Sequence, residues 1–265
     1  MGLDTHIRLD TEAMSEDLAA EHRDAAWLAQ LAGEALLELR TGATDVPDIG
    51  AAGDRLAHHL IVDELNRLYP QDDVRSEEGL EHVSSEGRLW IVDPLDGTRE
   101  FRQRGRSDWA VHVALSVRGI AVVGAVALPA LDLVLSTGDP PVLSPLQQGE
   151  PPRVVVSRSR PPDVAYDVAE ALGAVMIPMG SAGAKIAAVI LGAAEIYVHA
   201  GGQYEWDSGA PVAVATASGL HTSRLDASPL RYGDPDAWLP DLVVCRKEYA
   251  QAVLDVTTKQ RRPYW

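Results

Sequence analysis

Asp93 and Asp96 enclose Pro94 and Leu95, and Gly97 and Thr98 follow at once. Two carboxylates at this spacing are an oxygen donor set for a hard cation such as Mg2+ or Mn2+. Pro94 has no N–H and a fixed φ, so the strand leading into the pair must break there and present both acids on a stiff turn. Gly97 lets the backbone approach a ligand closely. Thr98 adds a hydroxyl and an amide. A short helix starting at Arg99 would aim the amides of Gly97 and Thr98 at an anion. Taken alone, D-x-x-D-G also reads as an ordinary surface turn. Further acids tip the balance. Glu77 stands in Ser76-Glu77-Glu78-Gly79 at the end of an extended stretch, and Asp207 follows Trp206 at the opening of an Ala-rich segment. Asp207 in isolation reads as a helix N-cap. Together Glu77, Asp93, Asp96 and Asp207 are four acids at element ends with few Lys or Arg nearby to pair them. The chemistry this suits is cation-assisted reaction at a phosphate.

Several cationic and hydroxyl groups are candidates to hold that phosphate. Ser157-Arg158 follows a strand-like run, and Arg suits bidentate phosphate binding. Gly180-Ser181 and Lys185 sit near a helix start. Lys185 is a lone Lys in an apolar segment and reads equally as a ligand contact or as a snorkelling surface residue. Residues 180–186 lack the Gly-Lys-Ser/Thr ending of a phosphate-binding P-loop, which sets ATP hydrolysis aside. Arg99, Arg102, Arg104 and Arg106 form a local basic cluster, either a solvated loop or an electrostatic funnel for a doubly charged substrate. Adjacent His58 and His59 lack zinc-helix spacing and read as solvent-facing.

The elements that must position these groups follow from hydrophobic period. Apolar residues recur at helical spacing over residues 15–39, with Ser15 as N-cap, and again over 52–69, closed by Pro70. The continuous apolar run 89–92 predicts a central strand. Residues 110–117, 121–128 and 131–136 predict three strands joined by turns at Arg118-Gly119 and Pro129-Ala130. The Pro- and Gln-rich segment 138–152 marks a boundary, dividing the chain into residues 1–145 (helices plus the sheet with the acidic motif) and 146–265. The second half reads strand 153–156, helix 164–172, strand near Val175, helix 182–191, strand 195–199 and helix 207–218. Such an order of elements predicts a layered α/β (α+β) architecture.

Composition bounds the function. A formal charge of −16 over 265 residues argues against a nucleic-acid polymer as partner, and requires any phosphate site to draw positive charge from metal ions or helix N-termini. Cys245 is the only cysteine and lies in an apolar run, so it predicts a buried hydrophobe, with neither a disulfide nor a multi-cysteine zinc site. The polar N-terminus does not read as a signal peptide. The uncharged apolar stretches are shorter than the roughly 20 residues that span a bilayer. A cytoplasmic location without membrane contact is the expectation.

The run Asp93-Pro94-Leu95-Asp96-Gly97-Thr98, with Glu77-Glu78 upstream and Trp206-Asp207-Ser208-Gly209-Ala210 to Gly219 downstream, resembles the signatures of the inositol monophosphatase superfamily over nearly the whole chain. Asp93 to Phe101 (DPLDGTREF) and Val156-Ser157-Arg158-Ser159 are most similar to its CysQ-type 3′(2′),5′-bisphosphate nucleotidases. The resemblance implies an α-β-α-β-α sandwich with the site between halves. It implies two to three Mg2+ ions, replaceable by Mn2+, held by Glu77, Asp93, the Leu95 carbonyl, Asp96 and Asp207. Asp54 falls at the family's catalytic aspartate, acting with Thr98 and Glu77 on the attacking water. Ala51 stands where the family usually has Thr, three residues before that Asp. Substrate contacts would come from Asp96, Gly97, Thr98, Arg99, Ser157, Arg158, Ser181, Lys185 and Asp207. The implied activity removes the 3′-phosphate of adenosine 3′,5′-bisphosphate, or of its 5′-phosphosulfate, in sulfur assimilation, with lithium sensitivity and a homodimer as family traits. The competing readings are an inositol monophosphatase or fructose-1,6-bisphosphatase on the same acids, and, in another class, a non-catalytic binding protein. The latter predicts loss of a ligand, whereas all four acids and Thr98 are present.

Overall fold

The computed structural model describes residues 18–42, 46–79, 87–146 and 149–259. Two long helices come first, α1 (Ala19–Gly42) and α2 (Ile49–Leu68). Ser15, the expected cap of the first helix, lies outside the described residues. A five-stranded sheet follows in the order β1-β2-β3-β4-β5: β1 (Asp73–Ser76), β2 (Arg88–Asp96), β3 (Ala110–Val117), β4 (Ile120–Leu128) and β5 (Leu133–Ser136). Only β1 and β2 pair in parallel; the rest is an antiparallel meander. A one-turn helix α3 (Thr98–Phe101) leaves the end of β2.

The second sheet is built later in the chain, in the order β7-β6-β8-β10-β9. Its strands are β6 (Arg153–Ser157), β7 (Val175–Met179), β8 (Ile196–Tyr204), β9 (His221–Ser223) and β10 (Trp238–Cys245). Between them run α4 (Asp163–Leu172), α5 (Ala182–Ile190), α6 (Glu205–Ala217) and finally α7 (Lys247–Thr257).

Period-two alternation sorts these strands into three cores. On β2, Trp90 and Val92 pack with Leu28, Leu36, Ile61 and Leu65 of α1 and α2. Leu89 and Ile91, on the opposite face, join Ile186 and Val189 of α5 and Val214 of α6. Tyr197 of β8 and Leu242 and Val244 of β10 complete that central core, while Val198, Val243 and Cys245 face Val164, Val168 and Val253 of the outer helices α4 and α7. Helix pair, sheet, helix pair, sheet, helix pair is therefore the layer order, as the resemblance implies. Cys245 is buried, as its apolar run predicts. Among the described residues no helix is long and apolar enough to cross a membrane.

Three sequence expectations shift in detail. The second helix begins at Ile49, because the Asp48 side chain accepts from the Ala51 amide (3.1 Å) and caps it. The strand expected over 195–199 runs on to Tyr204, and the following helix opens two residues before Asp207. His58 is not simply solvated: its Nδ1 lies 2.9 Å from Ser76 Oγ.

Candidate active site

In a regular strand residues three apart point to opposite faces. Asp93 and Asp96 escape this because β2 carries a bulge between them: Asp93 pairs with His112 and Asp96 with Ala110, so one extra residue enters on the β2 side. The parity change is visible in the packing. Leu95 belongs to the α1–α2 core with Trp90 and Val92, although its number is odd. Pro94, which cannot donate to a ladder, is where the register slips, the expected place for a bulge. Both carboxylates are thereby turned toward the α5–α6 layer. The Asp93 carboxylate is pinned from within the bulge by the Leu95 amide (3.1 Å).

Asp96 meets the start of α5. Its carboxylate accepts from Ser181 Oγ (2.5 Å), Gly183 N (2.6 Å) and Ala182 N (3.1 Å), amides that have no partner within the helix. Ser181 Oγ in turn accepts from Ala184 N (2.9 Å) as the N-cap. Gly183 leaves no room for a side chain unless its neighbours move: a Cβ there would lie 1.9 Å from His112 Nε2. Lys185, 5% exposed, is no surface residue. Its Nζ donates to the Ser181 carbonyl (2.5 Å) and sits 5.4 Å from the Tyr197 ring centroid. Burial lowers its pKa, while the charges of Asp96 and Asp207 act in the other direction.

Asp207 is the third residue of α6, and its carboxylate accepts from the Tyr204 amide (2.7 Å) in a capping box. The N-cap is therefore Tyr204, and Asp207 is half-buried within the first turn. Glu77 lies just beyond β1, its amide held by the Val92 carbonyl (3.2 Å). Asp54, on α2, is 8% exposed, and its buried Oδ1 has no hydrogen-bond partner among the described residues. Thr98 Oγ1 donates to the Leu95 carbonyl (3.2 Å), and Gly97, at φ 87°, makes the left-handed turn from strand to helix. Arg99 is exposed.

The electrostatics identify what the cluster lacks. Burial, then the charges of Glu77, Asp96 and Asp207, hold Asp93 well above the carboxylate range. Burial and Asp96 raise Asp207 to about 7. Desolvation of its carboxyl, then Asp54 and Asp207, raises Glu77 to about 7. Although Glu77 is exposed as a residue, its acid group faces other acids. Asp54 rises to about 7 through burial and the charge of Glu78. Acids that so resist ionisation together call for positive charge, and their donor atoms are all hard oxygens. A divalent cation of the Mg2+ class fits this set.

His112 carries no functional signal in the sequence. A single His in an alternating apolar strand reads as a core residue, and only the fold shows what it faces. Its Nδ1 lies 3.0 Å from the Trp206 carbonyl, which can only accept, so that nitrogen carries the proton. Nε2 then faces Asp96 Oδ2 at 3.4 Å without a hydrogen bond. Asp93, Asp96 and His112 each offer an atom within 4.8 Å of the others.

The phosphate-holding candidates separate. The Arg158 guanidinium pairs with Glu100 and lies 3.7 Å from Asp108, whose carboxylate also accepts the Gly180 amide (2.7 Å). Ser157 instead lines a hollow of about 390 Å3 with Arg160, His199, Gly201 and Gly202. Arg160 is a site candidate that only the structure reveals; within Ser-Arg-Ser-Arg-Pro-Pro it carries no spacing signal.

Two sheets thus sandwich a helix layer, with an acid cluster where that layer meets a bulged strand. The sequence profile of the inositol monophosphatase family matches residues 16–260. The 3′-phosphoadenosine 5′-phosphate phosphatase of Mycobacterium leprae is 45% identical over 95% of this chain and 97% of its own. The 3′(2′),5′-bisphosphate nucleotidase CysQ of Escherichia coli K12 is 30% identical over 80% and 94%. Among solved structures, inositol monophosphatase II of Staphylococcus aureus superposes with a TM-score of 0.76 over 91% of this chain and 94% of that one, at 21% identity. The chain belongs to the inositol monophosphatase family and is a phosphatase.

Proposed function

We propose that this phosphatase removes the 3′-phosphate of adenosine 3′,5′-bisphosphate, giving AMP, with Mg2+ as its natural cofactor. Hydrolysis rests on one observation above the others: the bulge brings Asp93 and Asp96 to one face, where Asp93 feels the charges of Glu77 and Asp207 and Glu77 feels that of Asp54. The choice of nucleotide rests on the M. leprae relative and the activity for which it is named.

Glu77, Asp93, Asp96, Asp207 and the Leu95 carbonyl would hold two to three Mg2+ ions, or Mn2+ in their place. When bound, the cations polarise the phosphate ester and make water more acidic. The protein's own groups do the rest. Asp54, poised near neutrality and with a free oxygen, accepts the proton of the attacking water. Thr98, fixed through the Leu95 carbonyl, helps to orient that water. The turn at Gly97 leaves the first amides of α3 available to the phosphate oxygens. Lys185 supplies buried positive charge behind Ser181 and Asp96.

The second phosphate is better served by Ser157 and Arg160, which line the hollow, than by Arg158, whose guanidinium is engaged by Glu100. A link to sulfur assimilation, where this nucleotide arises as a by-product, and a cytoplasmic site of action follow from the substrate.

Asp54→Asn is expected to lower kcat by about 10^2- to 10^4-fold, the usual worth of a positioned base. Mn2+ binding to the metal-stripped protein should stay near wild type. Loss of both together would make Asp54 a metal ligand instead. Substrate choice is tested by comparing kcat/KM for phosphate release from adenosine 3′,5′-bisphosphate, inositol 1-phosphate and fructose 1,6-bisphosphate with Mg2+. The nucleotide should lead by at least about tenfold, a difference of about 1.4 kcal/mol at the transition state. An equal lead for inositol 1-phosphate would overturn the assignment.

A further inference from the structure

The acids of the site are carried by separate parts of the chain, and two of them carry a partner in one ion pair at the same offset. Arg75 stands on β1 two residues before Glu77, and Glu205 opens α6 two residues before Asp207. Arg75 NH1 and Glu205 Oε2 are 2.5 Å apart, with side chains 3% and 0% exposed. Resting on the metal reading above, we propose that this buried ion pair is a positioning device: it fixes the segments that carry Glu77 and Asp207 relative to each other, so that both acids reach the cation site.

Each end of the link is rigid. Arg75 lies in parallel register with Ile91 on β2, and Glu77 N is tied to the Val92 carbonyl (3.2 Å). On the other side Glu205 Oε1 accepts from Gly233 N (2.6 Å) and Asp234 N (2.9 Å), and its own amide donates to the Ala237 carbonyl (2.9 Å). The tie thus runs from the edge of the first sheet through the start of α6 to the loop before β10. Without it, Glu77 and Asp207 are two acids whose charges repel. The attraction of their neighbours opposes that repulsion.

Stability alone does not explain the pair. Apolar side chains of similar volume often replace a buried ion pair at no loss, whereas removing one partner strands a charge. What an apolar contact cannot supply is a directional link that sets one register between two elements. The pair touches no reacting group, so its effect must pass through Glu77 and Asp207.

The test separates folding from metal binding. Wild type, Arg75→Met, Glu205→Gln and the double variant R75M/E205Q are stripped of metal, and Mn2+ affinity is measured by the EPR signal of free Mn2+, with melting temperature in parallel. The Glu205→Gln change retains an acceptor for the Gly233 and Asp234 amides. Both single variants should melt well below wild type. The double variant should recover most of that loss yet bind Mn2+ about 10- to 100-fold more weakly, the usual effect of losing a group that orients a metal ligand. Saturating Mg2+ should restore most of its kcat, because excess cation refills a weakened site by mass action. Wild-type Mn2+ affinity in a folded double variant would overturn the positioning role and leave the metal reading intact. No Mn2+ binding by the wild type would overturn both. If the double variant does not fold, Arg75→Lys decides: a shorter cation without the guanidinium fork should fold and bind Mn2+ several-fold more weakly, and unchanged affinity would overturn the proposal.

Discussion

Asp93→Asn should lose nearly all phosphatase activity and, in the absence of metal, melt at a higher temperature than the wild type. Asp93 is fully buried, and burial together with three neighbouring acids pushes its pKa well above the carboxylate range. Folding the metal-free protein at neutral pH therefore works against this group. Asn keeps the side-chain oxygen that accepts from the Leu95 amide and removes the charge. The same change removes the acid at the centre of the cation set. A cation at the site is worth several kcal/mol to the transition state, so a loss of about 4 kcal/mol, on the order of 10^3-fold in kcat/KM, is expected. Calorimetry with and without Mg2+ reads the stability half: added Mg2+ should raise the wild-type melting temperature and leave the variant nearly unmoved. A variant less stable than wild type without metal would mean that the Asp93 charge supports the fold.

The second large effect is a reversal of pH dependence on adding metal. Asp54, Glu77 and Asp207 each rise from ordinary carboxylate values to about 7 in the folded protein. A raised folded pKa means the folded state binds protons more tightly than the unfolded chain. The stability from this source is complete below about pH 4 and is lost as pH rises through about 7. The metal-free protein should accordingly melt lower at about pH 8 than at about pH 5.5, by at least roughly 5 °C, since even one such group is worth about 2 kcal/mol over that interval and each kcal/mol moves melting by some 2–4 °C in a chain of this size. Cations bind the ionised acids, so with saturating Mg2+ stability should increase over the same interval. A metal-free melting temperature that climbs from about pH 5.5 to about pH 8 would contradict the repulsive cluster.

Much of this is legible without coordinates because the relevant signals are local. Asp93 through Thr98 announces a turn bearing two acids, and periodicity places the helices over α1, α2 and α4 and the meander β3–β5 within a few residues. What is not legible depends on distant partners. The bulge that turns Asp93 and Asp96 to the same side is a property of pairing with β3 and leaves no mark in the residues themselves beyond Pro94. His112 is indistinguishable from a core residue until α5 is seen packing Gly183 against it. Lys185 reads equally as surface or site, because its burial depends on Tyr197 across the layer. Arg75 and Glu205, far apart in the chain, carry no common signal at all. The Ala51 departure also resolves only in three dimensions: Asp48 caps the helix through the Ala51 amide, so the loop before Asp54 is held without a hydroxyl at position 51.

The bulged acid pair is the centre of the proposed chemistry, and one assay tests it directly. Metal-stripped protein is given adenosine 3′,5′-bisphosphate, and phosphate release is followed while Mg2+ is added back. No turnover above background is expected without metal, and full recovery with Mg2+, with AMP as the nucleotide product. Undiminished turnover in the stripped protein, or none at any Mg2+ concentration, would contradict cation-assisted hydrolysis at Asp93 and Asp96.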